Sequence, residues 1–330
     1  MKTTEILLAK RPIGKPTIDD FQFKERVVDK LKDGEVLLQS LYVSVDPYMR
    51  SRMSDAKSYV APYELGQPIS GGVVAVVKQS KSRLLATGDK VLGMLPWATY
   101  SISQDVHLRK VDDRIPLSYY LGIAGMPGLT AYFGITDICN PKSGETVVIS
   151  GAAGAVGTVA GQIAKIRDCK VVGIAGGKEK CRLLIDKFNF DAAIDYKQPH
   201  FLEELKKACP DGVDCYYDNV GGEITDAVVS LFNKYARMAL CGQISLYNET
   251  KQPIGPRILP TLLKTSSLVK GFIVSDYKDH FEPATKELIK WIQSEKLTYT
   301  ETILEGFEQI PHAFIGLFDG VNKGKMIVKL

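Results

Sequence analysis

No C-x-x-C pair occurs anywhere in this sequence. Its six cysteines, Cys139, Cys169, Cys181, Cys209, Cys215 and Cys241, lie scattered, which argues against a disulfide framework and a structural zinc lobe. Histidine is scarcer still: His107, His200, His280 and His312 stand far apart, none at metal-ligand spacing from a cysteine or carboxylate. A catalytic zinc needs about three protein ligands, so no metal is expected. Charge bias is missing too. The net charge of +4 is spread along the chain, with no basic run interleaved with aromatics, so nucleic acid is not expected as a partner. Long apolar runs are absent as well. The uncharged stretch from Thr146 to Ala164 is interrupted by central glycines and reads as strand, turn and helix rather than a membrane span. Glu5, Lys10, Arg11 and Lys15 precede any long apolar stretch, unlike a secretory signal peptide, so a cytoplasmic protein without membrane affinity is the expectation.

What is present has the texture of an ordinary globular chain: 330 residues, 45% hydrophobic and 24% charged, enough for about two domains with a sizeable core. From Glu35 to about Ser103, short apolar runs alternate with turn residues, as in Val36-Leu37-Leu38, Leu41-Tyr42-Val43, Gly72 to Val77 and Val91 to Met94. That pattern predicts a β-rich domain. Near Ser118 it changes to longer strand and helix alternation. Strands are predicted at Thr146 to Ser150, Lys170 to Ala175, Ala192 to Asp195, Val213 to Tyr217, Arg237 to Cys241 and Leu268 to Val274, with helices from about Gly154, Glu179, Phe201, Ile224 and Leu259. Six strands separated by helices specify an α/β, doubly wound parallel sheet. A charged helix through Trp291 then leads to strand-like segments at Thr298 to Glu305 and Met326 to Leu330.

The richest signal is Gly151-Ala152-Ala153-Gly154-Ala155-Val156-Gly157, directly after Val147-Val148-Ile149. Glycine and alanine let a backbone approach phosphate oxygens, and the following helix points its N-terminus at them. In a doubly wound sheet, ligands bind beyond the carboxyl ends of the strands. The second strand ends at Gly176-Gly177 without the Asp or Glu that would suit the ribose of NAD, and Lys178, Lys180 and Arg182 follow. Cations there favour the extra phosphate of NADPH, although Glu179 dilutes the patch. The later strand ends, Tyr196, Asp218 to Gly222, Cys241 to Ser245 and Phe272 to Val274, are small, polar or aromatic, as a long ligand lying across the sheet requires.

Four further runs carry a resemblance: Val45-Asp46-Pro47-Tyr48-Met49-Arg50, Gly125 to Tyr132, Asp218-Asn219-Val220-Gly221-Gly222, and Tyr235-Ala236-Arg237 to Asn248. With the glycine turn, they make the chain resemble the zinc-independent medium-chain reductases over nearly its full length. Within them it is similar to the prostaglandin reductase and 2-alkenal reductase group, and to its bacterial curcumin-reductase-like members. The resemblance implies a Rossmann domain over residues 121–295 and a β-rich, GroES-like catalytic domain built from residues 1–120 and 296–330. It implies that Ala153, Gly154, Ala155 and Val156 hold the pyrophosphate, and that Lys180 and Tyr196 contact the 2′-phosphate. Asn219, Cys241, Gly242, Ser245, Tyr247, Phe272, Ile273, Val274 and Asn322 would line the rest of NADPH. One departure stands out. Where mammalian prostaglandin reductases carry a tyrosine near the nicotinamide ribose, this chain has Lys264.

The chemistry so implied is hydride transfer from NADPH to the β-carbon of an α,β-unsaturated ketone or aldehyde, with no metal to stabilise the enolate. A tyrosine hydroxyl or the nicotinamide ribose 2′-hydroxyl can donate to the enolate oxygen, and tyrosine suits the task because a phenol with a pKa of about 10 stays protonated at neutral pH. Tyr59 is the first candidate, followed by Tyr48 and Tyr247, while Arg50 is read as architectural, pairing with Asp46 or Glu64. Quinone reduction on the same scaffold is the alternative, and a non-catalytic NADPH-binding protein is a third reading. The family also implies a homodimer, with the strand at Leu268 to Val274 at its edge.

Overall fold

A computed structural model describes residues 1–330. The chain forms two compact units: Met1–Leu121 with Glu301–Asn322 and Met326–Leu330, and Gly122–Thr300 with Lys323–Lys325.

The first unit is made of strands because its buried positions recur with period two. In β5 (Lys90–Pro96) Val91, Gly93 and Leu95 point inward between more exposed neighbours, the signature of a strand with one covered face. Before it come β1 (Lys2–Leu8) and β2 (Phe21–Val27), which pair antiparallel, then β3 (Glu35–Ser44), the short helix α1 (Met49–Arg52) and β4 (Ser70–Ser80). After it come β6 (Tyr100–Gln104) and β7 (Arg109–Val111). β3 pairs with both β4 and β6, and β4 with β5, all antiparallel. Val36, Leu38, Val73, Val77, Val91 and Trp97 form the core.

The second unit opens with α2 (Met126–Phe133), which sequence patterning did not single out, and a π-helical turn at Gly134–Cys139. Its six strands are β8 (Thr146–Ser150), β9 (Lys170–Ala175), β10 (Ala192–Asp195), β11 (Val213–Asp218), β12 (Phe232–Leu240) and β13 (Leu268–Gly271), in the order β10-β9-β8-β11-β12-β13. All pairings are parallel. The order reverses between β8 and β11, the point at which doubly wound sheets take their ligands. Crossovers run through α3 (Gly157–Ile166), α4 (Lys178–Asp186), α5 (Phe201–Ala208), α6 (Gly222–Val229) and α7 (Leu259–Thr265). Every residue of β8 is buried, as expected of a strand covered on both faces.

Several boundaries differ from the sequence reading, among them a strand predicted from Thr298 that begins at Glu301 and a helix predicted from Ile224 that begins at Gly222. α3 starts at Gly157 rather than Gly154, because Gly154 N–H turns back to the Gly151 carbonyl at 2.9 Å. β12 begins earlier, at Phe232, and absorbs an irregularity at Tyr235, whose φ is +66°. β13 ends at Gly271, since Ile273 N–H leaves the sheet direction for the Asp276 carboxylate at 3.3 Å and a 3-10 turn follows from Val274.

α8 (Phe281–Gln293) is followed by β14 (Glu301–Glu305), α9 (Ile310–Asp319) and β15 (Lys325–Lys329). β14 and β15 join the first unit's sheet next to β3, and Ala313, Phe314 and Leu317 of α9 enter its core. Residues 296–300 stay with the second unit, where the Gln162 amide donates to the Thr298 carbonyl and accepts from Thr298 N–H at 2.8 Å. A division at residue 295 therefore falls a few residues early.

Candidate nucleotide site and the tyrosine cluster

The turn after β8 is shaped by close backbone approach. Gly151 has φ +57°, and a Cβ on Gly157 would stand 2.5 Å from the Gly151 carbonyl oxygen and 2.7 Å from Ala152 Cα. Only glycine lets α3 start this close to the turn, and the first turn of a helix leaves N–H groups without intrahelical acceptors. A segment from far along the chain fastens the turn from one side: Gly324 N–H donates to the Ala153 carbonyl at 2.8 Å. The cradle fits a pyrophosphate.

At the end of β9, a Cβ on Gly176 would meet Tyr196 Cε1 at 3.0 Å and Lys197 Cε at 3.1 Å, whereas one on Gly177 would meet nothing within 4 Å. Lys180 follows in α4, half-buried. Burial first, then the charges of Lys197 and Lys323, lower its pKa. Lys323 pairs with Glu179 at 2.7 Å. Asp195, at the end of β10, accepts from Gly177 N–H, Lys197 N–H and the Gln198 amide; burial pushes its carboxyl up, but these donors together hold it below the usual range. A strand end with three lysines and its aspartate already engaged fits a phosphate monoester better than a ribose diol.

Across the switch point lies the fully buried carboxylate of Asp218. Oδ1 accepts from Ser150 Oγ, Tyr216 OH and the N–H groups of Val220 and Gly221, and Oδ2 from Thr225 Oγ1 and Gln243 Nε2, all between 2.7 and 3.0 Å. Six donors replace the water that the charge has lost. Ser150 passes the constraint on, accepting from Asn219 N–H at 2.9 Å, while Asn219 Nδ2 donates to the Ser150 carbonyl at 2.8 Å. Cys241 and Gly242 N–H both donate to the Asp218 carbonyl. Next to this lattice, Cys241, Gly242, Gln243, Tyr247, Phe272 and Ile273 line an open pocket of about 320 Å³. Tyr247 OH accepts from Gln243 N–H at 3.3 Å, and burial raises its pKa. Burial likewise pushes the Cys241 thiol up to about 12, so it remains a thiol. Ser245 is exposed and donates to the Val220 carbonyl, and Val274 begins the turn beyond the pocket. Lys264 lies exposed on α7.

In the first unit, Tyr48 and Tyr59 flank α1. Tyr48 is half-buried, and burial, followed by Asp46, Tyr63 and Tyr59, raises its pKa far above the phenol value, with Arg52 opposing. The Arg52 guanidinium lies 4.0 Å from the Tyr63 ring centroid. Tyr59 is 60% exposed. Arg50 donates to the carbonyls of Pro12 and Gly14 at 3.2 and 2.9 Å, fastening a loop. Asn322 closes the first unit's last long segment, immediately before Lys323.

Sequence reasoning singled out Lys180 and Tyr196 but not Lys197, Lys323 or the clamp at Asp218. Lys197 could have been found as the neighbour of Tyr196. Lys323 carries no local signal, because only the fold brings residues 323–325 to the glycine turn.

No group of three or more His, Cys, Asp or Glu residues could hold a metal ion, and no helix is long and apolar enough to cross a membrane. Two family models match, an N-terminal domain of oxidoreductase over residues 4–111 and a zinc-binding dehydrogenase over residues 155–294. The chain is 54% identical to YfmJ of Bacillus subtilis, over 99% of this chain and 97% of that one. It is 44% identical to the NADPH-dependent curcumin reductase of Escherichia coli, over 98% and 96%. The crystal structure of CurA from Vibrio vulnificus in complex with NADPH superimposes with a TM-score of 0.95 at 43% identity, covering 99% of this chain and 98% of that one.

Proposed function

We propose, because the chain belongs to the zinc-independent medium-chain dehydrogenase/reductase family in the group of the curcumin and prostaglandin reductases, that it reduces the carbon–carbon double bond of α,β-unsaturated ketones and aldehydes with NADPH. The near-full-length identity to an NADPH-dependent curcumin reductase carries the reading. The residues agree with it. Ala153 to Gly157 offer backbone to a pyrophosphate, Lys180 with Tyr196 and Lys197 receive the 2′-phosphate, and Asn219, Cys241 to Tyr247, Phe272 and Ile273 accommodate the remainder.

NADPH, when bound, supplies the hydride for the β-carbon. The chain's own task is then at the carbonyl oxygen, where negative charge develops. Tyr59 is the proposed donor to that oxygen, with Tyr48 and Tyr247 as the alternative phenols. A neutral hydroxyl aimed at developing charge contributes several kcal/mol to the transition state. Phe272 and Tyr247 line the open pocket beside which this contact is proposed. A second copy of the chain is proposed to cover the β13 edge, where Leu259, Leu263 and Leu268 are 74, 81 and 54% exposed.

The test is the loss of NADPH absorbance, and separately of NADH absorbance, with 3-nonen-2-one, and the mass of the product. NADPH oxidation with formation of the saturated ketone is expected. Absence of turnover with the enone, together with oxidation of NADPH by a quinone, would overturn the reading in favour of quinone reduction.

A further inference from the structure

We infer that Lys323 is an additional recognition cation for the 2′-phosphate of NADPH, held by Glu179 until the phosphate displaces that carboxylate. This rests on the NADPH reading above and deepens it by naming a residue and an exchange of ion pairs.

The three lysines around the end of β9 come from three separate segments: Lys180 from α4, Lys197 from the turn after β10, and Lys323 from the stretch that precedes β15. Between them the surface is open at Gly177, whose φ of +95° and lack of neighbours within 4 Å leave room for a ligand. Two acids face the cluster. Asp195 is engaged by two backbone N–H groups and the Gln198 amide, and the charge of Lys197 acts on it only after these. Glu179 is paired with Lys323 at 2.7 Å, and both side chains are substantially exposed, at 81 and 46%. An exposed pair of this kind is weak and exchangeable. A phosphate monoester carries up to about two negative charges and three acceptor oxygens, so it outcompetes a single carboxylate for a lysine close enough to Lys180 for their charges to interact. Burial lowers the pKa of Lys180 first, and the positive charges of Lys197 and Lys323 lower it further.

The backbone that carries Lys323 is fixed. Gly324 N–H is bonded to the Ala153 carbonyl, Lys325 N–H to the Thr300 carbonyl at 3.1 Å, and a Cβ on Gly324 would stand 1.8 Å from that same Thr300 oxygen. Only the lysine side chain has to move. One short segment thus fastens the pyrophosphate turn and presents a cation toward the adenosine end of the same cofactor.

The experiment is a fluorescence titration of the full chain with NADPH and with NADH, for the wild type, K323Q, E179Q, the double variant and K323R, with thermal melting as the folding control. K323Q is expected to weaken NADPH about five- to tenfold while leaving NADH within about twofold, and K323R is expected to restore NADPH binding. E179Q is expected to tighten NADPH about twofold, and to have no effect once Lys323 is gone. If K323Q alters both cofactors equally, or neither, the inference is overturned while the NADPH reading stands. If the wild type itself does not prefer NADPH, the reading fails first.

Discussion

Among the tyrosines, burial separates those that resemble each other in sequence. Tyr48 is half-buried beside Asp46, while Tyr59 is 60% exposed on the loop after α1. The raised pKa of Tyr48 means that its hydroxyl keeps its proton to higher pH, so Tyr48 as a donor would stay protonated beyond about pH 10. Replacement of the proposed donor, Tyr59→Phe, is expected to lower kcat with 3-nonen-2-one about a hundredfold and to leave NADPH affinity unchanged. Steady-state kinetics with a parallel binding titration check this. Retained kcat in Tyr59→Phe, with loss in Tyr48→Phe or Tyr247→Phe, would reassign the donor. At this scale the sequence offers candidates where side-chain type and a strand end coincide, as at Lys180 and Tyr196, which the fold brings to the end of β9 together with Lys197. It was silent where spacing in the chain is unrelated to spacing in the fold, as at Lys323.

Elements were legible in proportion to their periodicity. The six parallel strands fall at the expected places because each is an apolar run bounded by small or polar residues, and their order places the glycine turn at the switch point. Boundaries set by single hydrogen bonds were not legible: the end of β13 depends on the Asp276 carboxylate and the start of α3 on the Gly154 N–H. α2 and α9 went unread because their mean burial hides a helical stripe. Two substitutions test the elements around the nucleotide site. Gly157→Ala forces a methyl into backbone atoms at 2.5 to 2.9 Å, and is expected to abolish measurable NADPH binding and to lower the melting temperature. Asp218→Asn turns an acceptor for six donors into a group with one oxygen and an amide that faces other donors. A loss of about 3 kcal/mol in denaturant unfolding is expected, together with weaker NADPH binding as Asn219 and the loop after β12 loosen.

At the scale of the whole molecule, the charge balance is ordinary but the alkaline response is not. Tyr48, Tyr63, Tyr216 and Tyr217 all have phenols raised by burial, and the Cys209 thiol is raised to about 11. Groups raised in the folded state contribute their stability fully below their unfolded values and lose it as pH climbs through the folded ones. The melting temperature is therefore expected to be flat from pH 7 to about 9 and to fall steadily above about pH 10, as differential scanning calorimetry would record. Sedimentation velocity is expected to give twice the 36.3 kDa chain mass, reverting to the single-chain value when Leu263 and Leu268 are changed to lysine. The bond from Gly324 N–H to the Ala153 carbonyl also has a vectorial meaning. The glycine turn leaves the ribosome about half a chain length before the segment that fastens it. Throughout synthesis of the intervening residues the turn is without this donor, and Gly324 completes the fastening only after all of the strands β8 to β13 have been made.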